Sequence, residues 1–453
     1  MLRRISIQLS FQITLLSFFC AFAKSDIALI TNQEANTVDV IDLKKREKIS
    51  EIFVGKKPAG IFIDKSTKTF FTSNPGSNNI SMFKLNSSKH NFLNSGKSPM
   101  SIQLDHKKNL LFVKVITDNG LEGWGECYTQ SDRDKTIIVH LEHMSNYLIG
   151  RDPFEIKYFN QIVFDDYASR RGSMEIFSAL SGLEQALWDI CGKHTGQPVY
   201  NLLGGASRGK LRVYANGWYA GSLAPEDYAE MAKKTVDKGY TALKFDPIPG
   251  PFRSMISKNN FEQSVETVKQ VREAVGPKID LLIEIHRRFS PMTAIKFADE
   301  IEEFDIFWYE EPCPTEFTEN LSEVRDSINI PTVTGEALYT KNAYIDVFGR
   351  KSADIINPDV ANTGGILELK EIASMAEAYQ VAVSPHNYNS TTIALASTLH
   401  AGITMPNFLI TEYFVPFEEI GLTISDNPLI PVEGYITLDD KPGLGMNLIE
   451  ENF

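Results

Sequence analysis

Leu281-Leu282-Ile283-Glu284-Ile285-His286, Phe307-Trp308-Tyr309-Glu310-Glu311-Pro312 and Thr332-Val333-Thr334-Gly335-Glu336-Ala337 decide the fold of this 453-residue chain. Each is a short apolar β-type run that ends on or just before a glutamate. Glu284, Glu310 and Glu336 fall 26 residues apart, about the length of one strand plus one helix. Such spacing places them at the C-terminal rim of a (β/α) barrel, where side chains from successive strands converge. Three carboxylates held that close repel one another unless a hard cation lies among them, and ligation by oxygen alone points to Mg²⁺. Glu311 follows Glu310 directly and so faces the other way, as a structural charge beside the site.

The same alternation extends to both sides. Candidate strands are 211–214, 242–245, 281–285, 306–309, 332–334, 354–356, 381–383 and 408–410, separated by amphipathic helices such as 229–238 and 294–303. Strands alternating with helices pair in parallel, and eight of them favour a closed barrel over an open sheet. The class is therefore α/β. Composition agrees with a large folded protein, with 43% apolar and 23% charged residues. A net charge of −13, from 45 basic and 58 acidic residues, disfavours partnership with nucleic acid or an anionic membrane.

The front of the chain reads differently. Arg3 and Arg4 precede an apolar stretch that runs to Phe22, and Ala21-Phe22-Ala23 fits a small-x-small cleavage site, so residues 1–23 are expected to be a signal peptide. Gln8, Ser10 and Gln12 leave the apolar run too short to span a bilayer, so no membrane insertion is expected after cleavage. Removal of Cys20 leaves Cys127, Cys191 and Cys313, an odd number that suits a reducing compartment. Residues 24–111 hold a repeat of about 42 residues. Asn36-Thr37-Val38-Asp39-Val40-Ile41 is echoed by Asn78-Asn79-Ile80-Ser81-Met82-Phe83, and Gly55-Lys56-Lys57-Pro58 by Gly96-Lys97-Ser98-Pro99. The pattern resembles YVTN-type β-propeller repeats, although two copies cannot close a propeller and a plain antiparallel meander is an equal reading. Asn109 to Val113 begins like a third copy, but residues 114–126 then read as a hairpin around Asn119-Gly120.

A family resemblance rests on an ordered set of motifs. Lys244-Phe245-Asp246-Pro247, Glu284-Ile285-His286, Glu310-Glu311-Pro312, Gly335-Glu336, Asp359, Ser384-Pro385-His386 and Glu412 resemble the mandelate racemase branch of the enolase superfamily, nearest its galactonate- and gluconate-type sugar-acid dehydratases. The likeness runs from about residue 112 to the C-terminus, through Trp188-Asp189 and Lys441-Pro442-Gly443-Leu444-Gly445. It implies a modified (β/α)7β TIM barrel over 211–414, an α+β capping domain over 112–210 and a C-terminal segment, 415–453, that returns to the cap, all preceded by the short all-β propeller-like segment. The cap's first strand then looks to be missing. The resemblance also implies a homo-oligomer.

Within this resemblance Glu284, Glu310 and Glu336 hold Mg²⁺, with Glu284 where relatives commonly carry Asp. His386 is the general base at C2, and Asp359, one strand end earlier, fixes its tautomer. His286, two residues from Glu284 and so on the same strand face, protonates the departing C3 hydroxyl or else merely partners a ligand. Lys244, Asp246 and Glu412 contact the substrate, Lys244 at its carboxylate unless it is a surface lysine. Glu412 is expected to carry or share a proton. Racemases of the branch have Lys-x-Lys where this chain has Lys244-Phe245-Asp246, so loss of water from a sugar acid fits better than inversion. A racemase or epimerase of the branch, and an exported binding protein with an inert barrel, are the alternatives. Localisation follows the N-terminus: secreted or periplasmic if the leader is genuine, cytoplasmic if residues before 112 are an unrelated fusion.

Overall fold

The computed structural model describes residues 5–10, 27–32, 34–42, 45–58, 61–64, 69–74, 76–77, 79–84, 90–94, 110–130, 133–168, 172–250 and 254–452. The chain forms two units, one of residues 13–108 and one of residues 1–12 with 109–453. Strand β1, Ile5–Ser10, belongs to the larger unit.

The smaller unit holds two antiparallel meanders. Strands β2 (Ile27–Asn32), β3 (Thr37–Asp42) and β4 (Glu47–Phe53) make one sheet; β5 (Ile61–Asp64), β6 (Thr69–Asn74), β7 (Asn79–Lys84) and β8 (His90–Asn94) make the other. Val38, Phe70 and Phe83 form its small buried core. Asn74 Nδ2 donates to Asn79 Oδ1 and Ser81 Oγ, each at 2.9 Å, which ties the end of β6 to β7. The expected cleavage site, Cys20 and Gly96-Lys97-Ser98-Pro99 lie outside the described residues.

The larger unit begins with a strand that the sequence reading did not place. Strand β9, Leu111–Thr117, pairs with β10, Glu122–Cys127, as the Asn-Gly hairpin requires, but it also pairs antiparallel with β1, Ile5 opposite Thr117 and Ser10 opposite Phe112. The cap's sheet therefore has the third strand expected to be missing, supplied by the segment read as a leader. The alternation Ile5-Ser6-Ile7-Gln8-Leu9-Ser10 is itself a strand pattern. Leu111 to Val113, read as a blade start, is continuous with the hairpin, because Leu111, Val113 and Val115 share one buried face.

Three helices, α1 (Asp134–Ser145), α2 (Ile156–Val163) and α3 (Met174–Thr195), complete the cap. Ser173 caps α3 by accepting from Ile176 N, and Gly196 ends it at φ 68°. The helix lies directly on β10. A Cβ on Gly125 would sit 1.8 Å from Gly182 O, so Gly-Trp-Gly in this strand is a demand of close approach.

The barrel strands are β11 (Leu211–Asn216), β12 (Ala242–Phe245), β13 (Asp280–Glu284), β14 (Ile306–Glu310), β15 (Thr332–Thr334), β16 (Ile355–Ile356), β17 (Ala382–Val383) and β18 (Thr411–Phe414). They pair in parallel in the order β17-β16-β15-β14-β13-β12-β11-β18, and a single bridge, Val383 to Phe408, joins the two ends. The eighth strand was expected at 408–410. That segment does pair with the seventh strand, Leu409 N donating to Val383 O at 2.8 Å, and the ladder with β11 begins three residues after Phe408, at Thr411.

Strand alternation then sets the site. Tyr214, Ala242, Leu282, Trp308, Val333, Ile355 and Ile410 form a closed apolar layer, distinct from the larger core shared with the surrounding helices. Two residues further along five of those strands stand Asn216, Lys244, Glu284, Glu310 and Glu412, all buried. Because side chains repeat on one face every second residue, an apolar floor must carry a polar layer above it.

The C-terminal segment returns to the cap. Strand β19, Tyr435–Ile436, pairs antiparallel with β11, and Asp189 accepts from Leu444 N and Trp124 N, both at 2.9 Å. Among the described residues no helix is long and apolar enough to cross a membrane.

Candidate active site

Glu284 and Glu310 are the last residues of β13 and β14 and stand opposite each other in the ladder. Glu336 lies two residues beyond β15, after Gly335, whose φ of 141° and contacts with Tyr344 and Asn357 leave no room for a side chain. One carboxylate oxygen from each of the three lies within 4.8 Å of the others. Asn357 Nδ2 and Trp308 Nε1 each donate to Glu310 at 2.9 Å, whereas Glu284 Oε2 is buried with no hydrogen-bond partner. Burial, aided by Glu336, pushes the Glu284 carboxyl up to about 7, and burial also raises Glu310 well above the usual carboxylate range, with Glu284 adding to the effect. An orphaned carboxylate oxygen among oxygen-only donors fits a hard divalent cation.

Lys244 is not at the surface. Its side chain is 2% exposed, and Nζ lies 2.8 Å from Glu310 Oε1, 3.7 Å from Glu412 Oε2 and 3.9 Å from Glu284 Oε2. Burial alone would lower its pKa, but Glu310 and Glu412 outweigh it and hold the ammonium charged. Glu412 belongs to the same network. Burial would raise it, yet Lys244 and His386, with bonds from Asn387 N and Asn216 Nδ2, leave it below the ordinary glutamate value.

His386 and Asp359 meet as expected. Their backbones are bridged, and Nδ1 lies 2.7 Å from Asp359 Oδ2. Asp359 Oδ1 accepts from Ala361 N at 2.8 Å, which fixes the carboxylate. The other ring nitrogen, Nε2, lies 3.0 Å from Glu336 Oε2 and 3.5 Å from Glu412 Oε2. Burial opposes protonation, but Glu412, Glu336 and Asp359 together raise His386 well above the usual histidine value. Glu336 responds in kind: Arg287 and His386 overcome burial and bring it well below the usual range.

His286 is positioned differently from expectation. Strand alternation stops at Glu284; His286 follows in a left-handed turn at φ 52°, with its side chain 44% exposed. Its Nδ1 lies 2.8 Å from Asp246 Oδ2. Asp246, expected at the substrate, is thus occupied by His286 and by Arg288. Glu311 accepts from Thr334 Oγ1 and Gly335 N, in line with a structural charge.

Sequence reasoning missed Arg287 and Tyr128. Arg287 Nη1 donates to Glu336 Oε1 at 2.6 Å and lies 3.6 Å from Glu311 Oε2, neutralising part of the acidic cluster. Its left-handed backbone, φ 61°, falls outside any strand pattern that would have flagged it. Tyr128, just past β10, packs its ring 6.3 Å from that of His386. Only the cap's docking brings them together. That docking uses two buried carboxylates: Glu184 accepts from Ile366 N and Leu367 N, and Glu126 from Thr391 N and Ala394 N. Both sets of donors open barrel helices, Ile366–Ala378 and Thr392–Gly402, that follow the loops bearing Asp359 and His386.

Comparison with known proteins agrees with this architecture. Residues 227–452 match the family model described as Enolase C-terminal domain-like, and residues 93–204 that of the mandelate racemase/muconate lactonizing enzyme N-terminal domain. The chain is 35% identical to the D-gluconate/D-galactonate dehydratase of Picrophilus torridus over 76% of its own length and 87% of that protein. It is 32% identical to the D-galactonate dehydratase of Pectobacterium atrosepticum, over 75% of this chain and 89% of the relative. A solved enolase-superfamily member from Salmonella Typhimurium superposes with a TM-score of 0.73 at 31% identity, covering 76% of this chain and 94% of that one. The chain belongs to the enolase superfamily, in its mandelate racemase/muconate lactonizing enzyme branch.

Proposed function

We propose that this protein is a Mg²⁺-dependent hydro-lyase that removes water from an aldonate, of the galactonate or gluconate kind, to give a 2-keto-3-deoxy acid. The observation that carries the reading is the carboxylate triad beside the Asp359–His386 pair, in a chain whose relatives are named sugar-acid dehydratases. A cation held by Glu284, Glu310 and Glu336 would withdraw charge from the substrate carboxylate as it becomes an enediolate. Lys244 and Arg287 add fixed positive charge to the same cluster.

His386, held by Asp359 through Nδ1, would take the C2 proton at Nε2 once a cation on Glu336 removes the charge that favours the protonated ring. The electron pair left at C2 forms the C2–C3 double bond as the C3–O bond breaks, and His286 gives the departing hydroxyl its proton, so it leaves as water. The resulting enol becomes the 2-keto acid by proton transfer to C3. No oxidant or reductant is needed. Asp246 in place of a second lysine argues against inversion, since no ammonium stands there to protonate the opposite face.

A panel of aldonates incubated with Mg²⁺ and assayed for 2-keto acids tests this. Turnover by the wild type and a loss of about 10²-fold or more in His386→Asn are expected. Full activity in that variant would remove the base assignment. We also propose assembly as a homo-oligomer, and export only if residues 1–23 are cleaved as a leader.

A further inference from the structure

His286 and Arg287 stand in succession at φ 52° and 61°. Neither is glycine, so the surroundings must fix this strained backbone. His286 N donates to Glu284 Oε1 at 2.5 Å, and Arg287 N to Glu311 O at 2.7 Å. The His286 ring is fixed separately, by Asp246 at 2.8 Å.

Asp246 is itself immobilised. Arg288 Nη2 donates to both of its carboxylate oxygens at 2.5 Å, and Ile248 N donates to Oδ1 at 2.9 Å. Arg288 is anchored in turn, through Nε to Ile285 O at 2.8 Å. The two polar residues of the Lys244-Phe245-Asp246 motif therefore serve different groups: Lys244 serves the carboxylate triad, and Asp246 serves His286. An ionised carboxylate only accepts hydrogen bonds, so the proton in the Asp246–His286 contact sits on Nδ1. That leaves Nε2 as the ring nitrogen available to a ligand.

We infer that Asp246 is a positioning residue: it fixes the orientation and tautomer of His286, making a second Asp–His pair that serves loss of the C3 hydroxyl as Asp359–His386 serves removal of the C2 proton. This rests on the dehydratase reading. It divides the site into two halves, one for proton removal and one for departure of water, each with its own carboxylate.

The test compares Asp246→Ala and Asp246→Asn with the wild type in D₂O with Mg²⁺ and the preferred aldonate, following 2-keto acid formation and deuterium uptake at C2 of recovered substrate. In Asp246→Ala, keto acid formation should fall about 10²-fold, with deuterium uptake within a few-fold of the wild type and little change in KM. Asp246→Asn keeps an acceptor oxygen, should fold, and should recover part of the loss. Equal falls in exchange and elimination, a change confined to KM, or wild-type behaviour would each overturn the inference. A second readout stands apart from turnover: the ring ¹⁵N shifts of His286, assigned with His286→Asn, should report the Nδ1-protonated tautomer in the wild type and a tautomer mixture in Asp246→Ala. If the wild type acts on no aldonate, the functional reading fails, and those shifts still decide whether Asp246 positions the ring. Identical shifts in both proteins would sink it.

Discussion

Lys244 carries a positive charge into a buried ring of carboxylates, and its three acidic neighbours are stable there because of it. Removing one member of a buried ion pair typically costs about 3–5 kcal/mol, since the partner is left charged and unsolvated. Lys244→Met should therefore unfold at lower urea in the presence of a chelator. Because a cation in the triad would neutralise the same carboxylates, added Mg²⁺ should restore more stability to Lys244→Met than to the wild type. Equal Mg²⁺ effects on the two unfolding curves would show that Lys244 and the metal do not share these charges. The glutamates themselves were legible in the sequence, because each closes an apolar run at regular spacing. The state of Glu412 was not. Its lowered pKa depends on Lys244 and His386, from strand ends that only the assembled barrel brings together.

At the scale of elements, the first seven barrel strands could be placed within a residue or two from apolar runs and flanking helices, since a buried parallel strand has few other ways to be written. The eighth was placed on the segment that bonds to Val383, three residues ahead of the ladder with β11. His286 was misplaced because alternation was carried two residues past the end of β13, into a left-handed turn that no apolar pattern announces. Helix Thr392–Gly402, which follows the His386 loop, offers a test of how the cap and barrel are held. His400 on this helix is fully buried, accepts from Tyr200 N at 3.3 Å and stacks on the Tyr200 ring. Burial lowers its pKa to about 4 from an ordinary value of 6.5. Between those values the unfolded chain binds the proton and the folded one does not, so stability rises with pH across that window and is lost as pH falls through it. At roughly 1.4 kcal/mol per unit the contribution is on the order of 3 kcal/mol. His400→Gln should be less stable at neutral pH but show a flatter urea-unfolding profile between pH 6.5 and 4. An unchanged slope would mean His400 does not titrate there.

At the scale of the molecule, two readings compete for the first ten residues. Cleavage after Ala23 would remove Ile5–Ser10, and with it the strand that flanks β9 in the cap. If that strand is integral, the purified protein retains its N-terminus, and intact mass should be near 50.8 kDa. A mass lacking residues 1–23 would establish export and leave the sheet two-stranded. The cap matters because Tyr128, Glu126 and Glu184 on it abut or anchor the loops that carry His386 and Asp359. At the centre of the molecule Glu284, Glu310 and Glu336 are placed to grip a single divalent cation. Anomalous diffraction from crystals soaked in Mn²⁺, an octahedral oxygen-seeking stand-in for Mg²⁺, measures it directly. One strong peak within about 2.3 Å of an oxygen from each glutamate is predicted. No peak there, with Lys244 still bonded to Glu310, would contradict it.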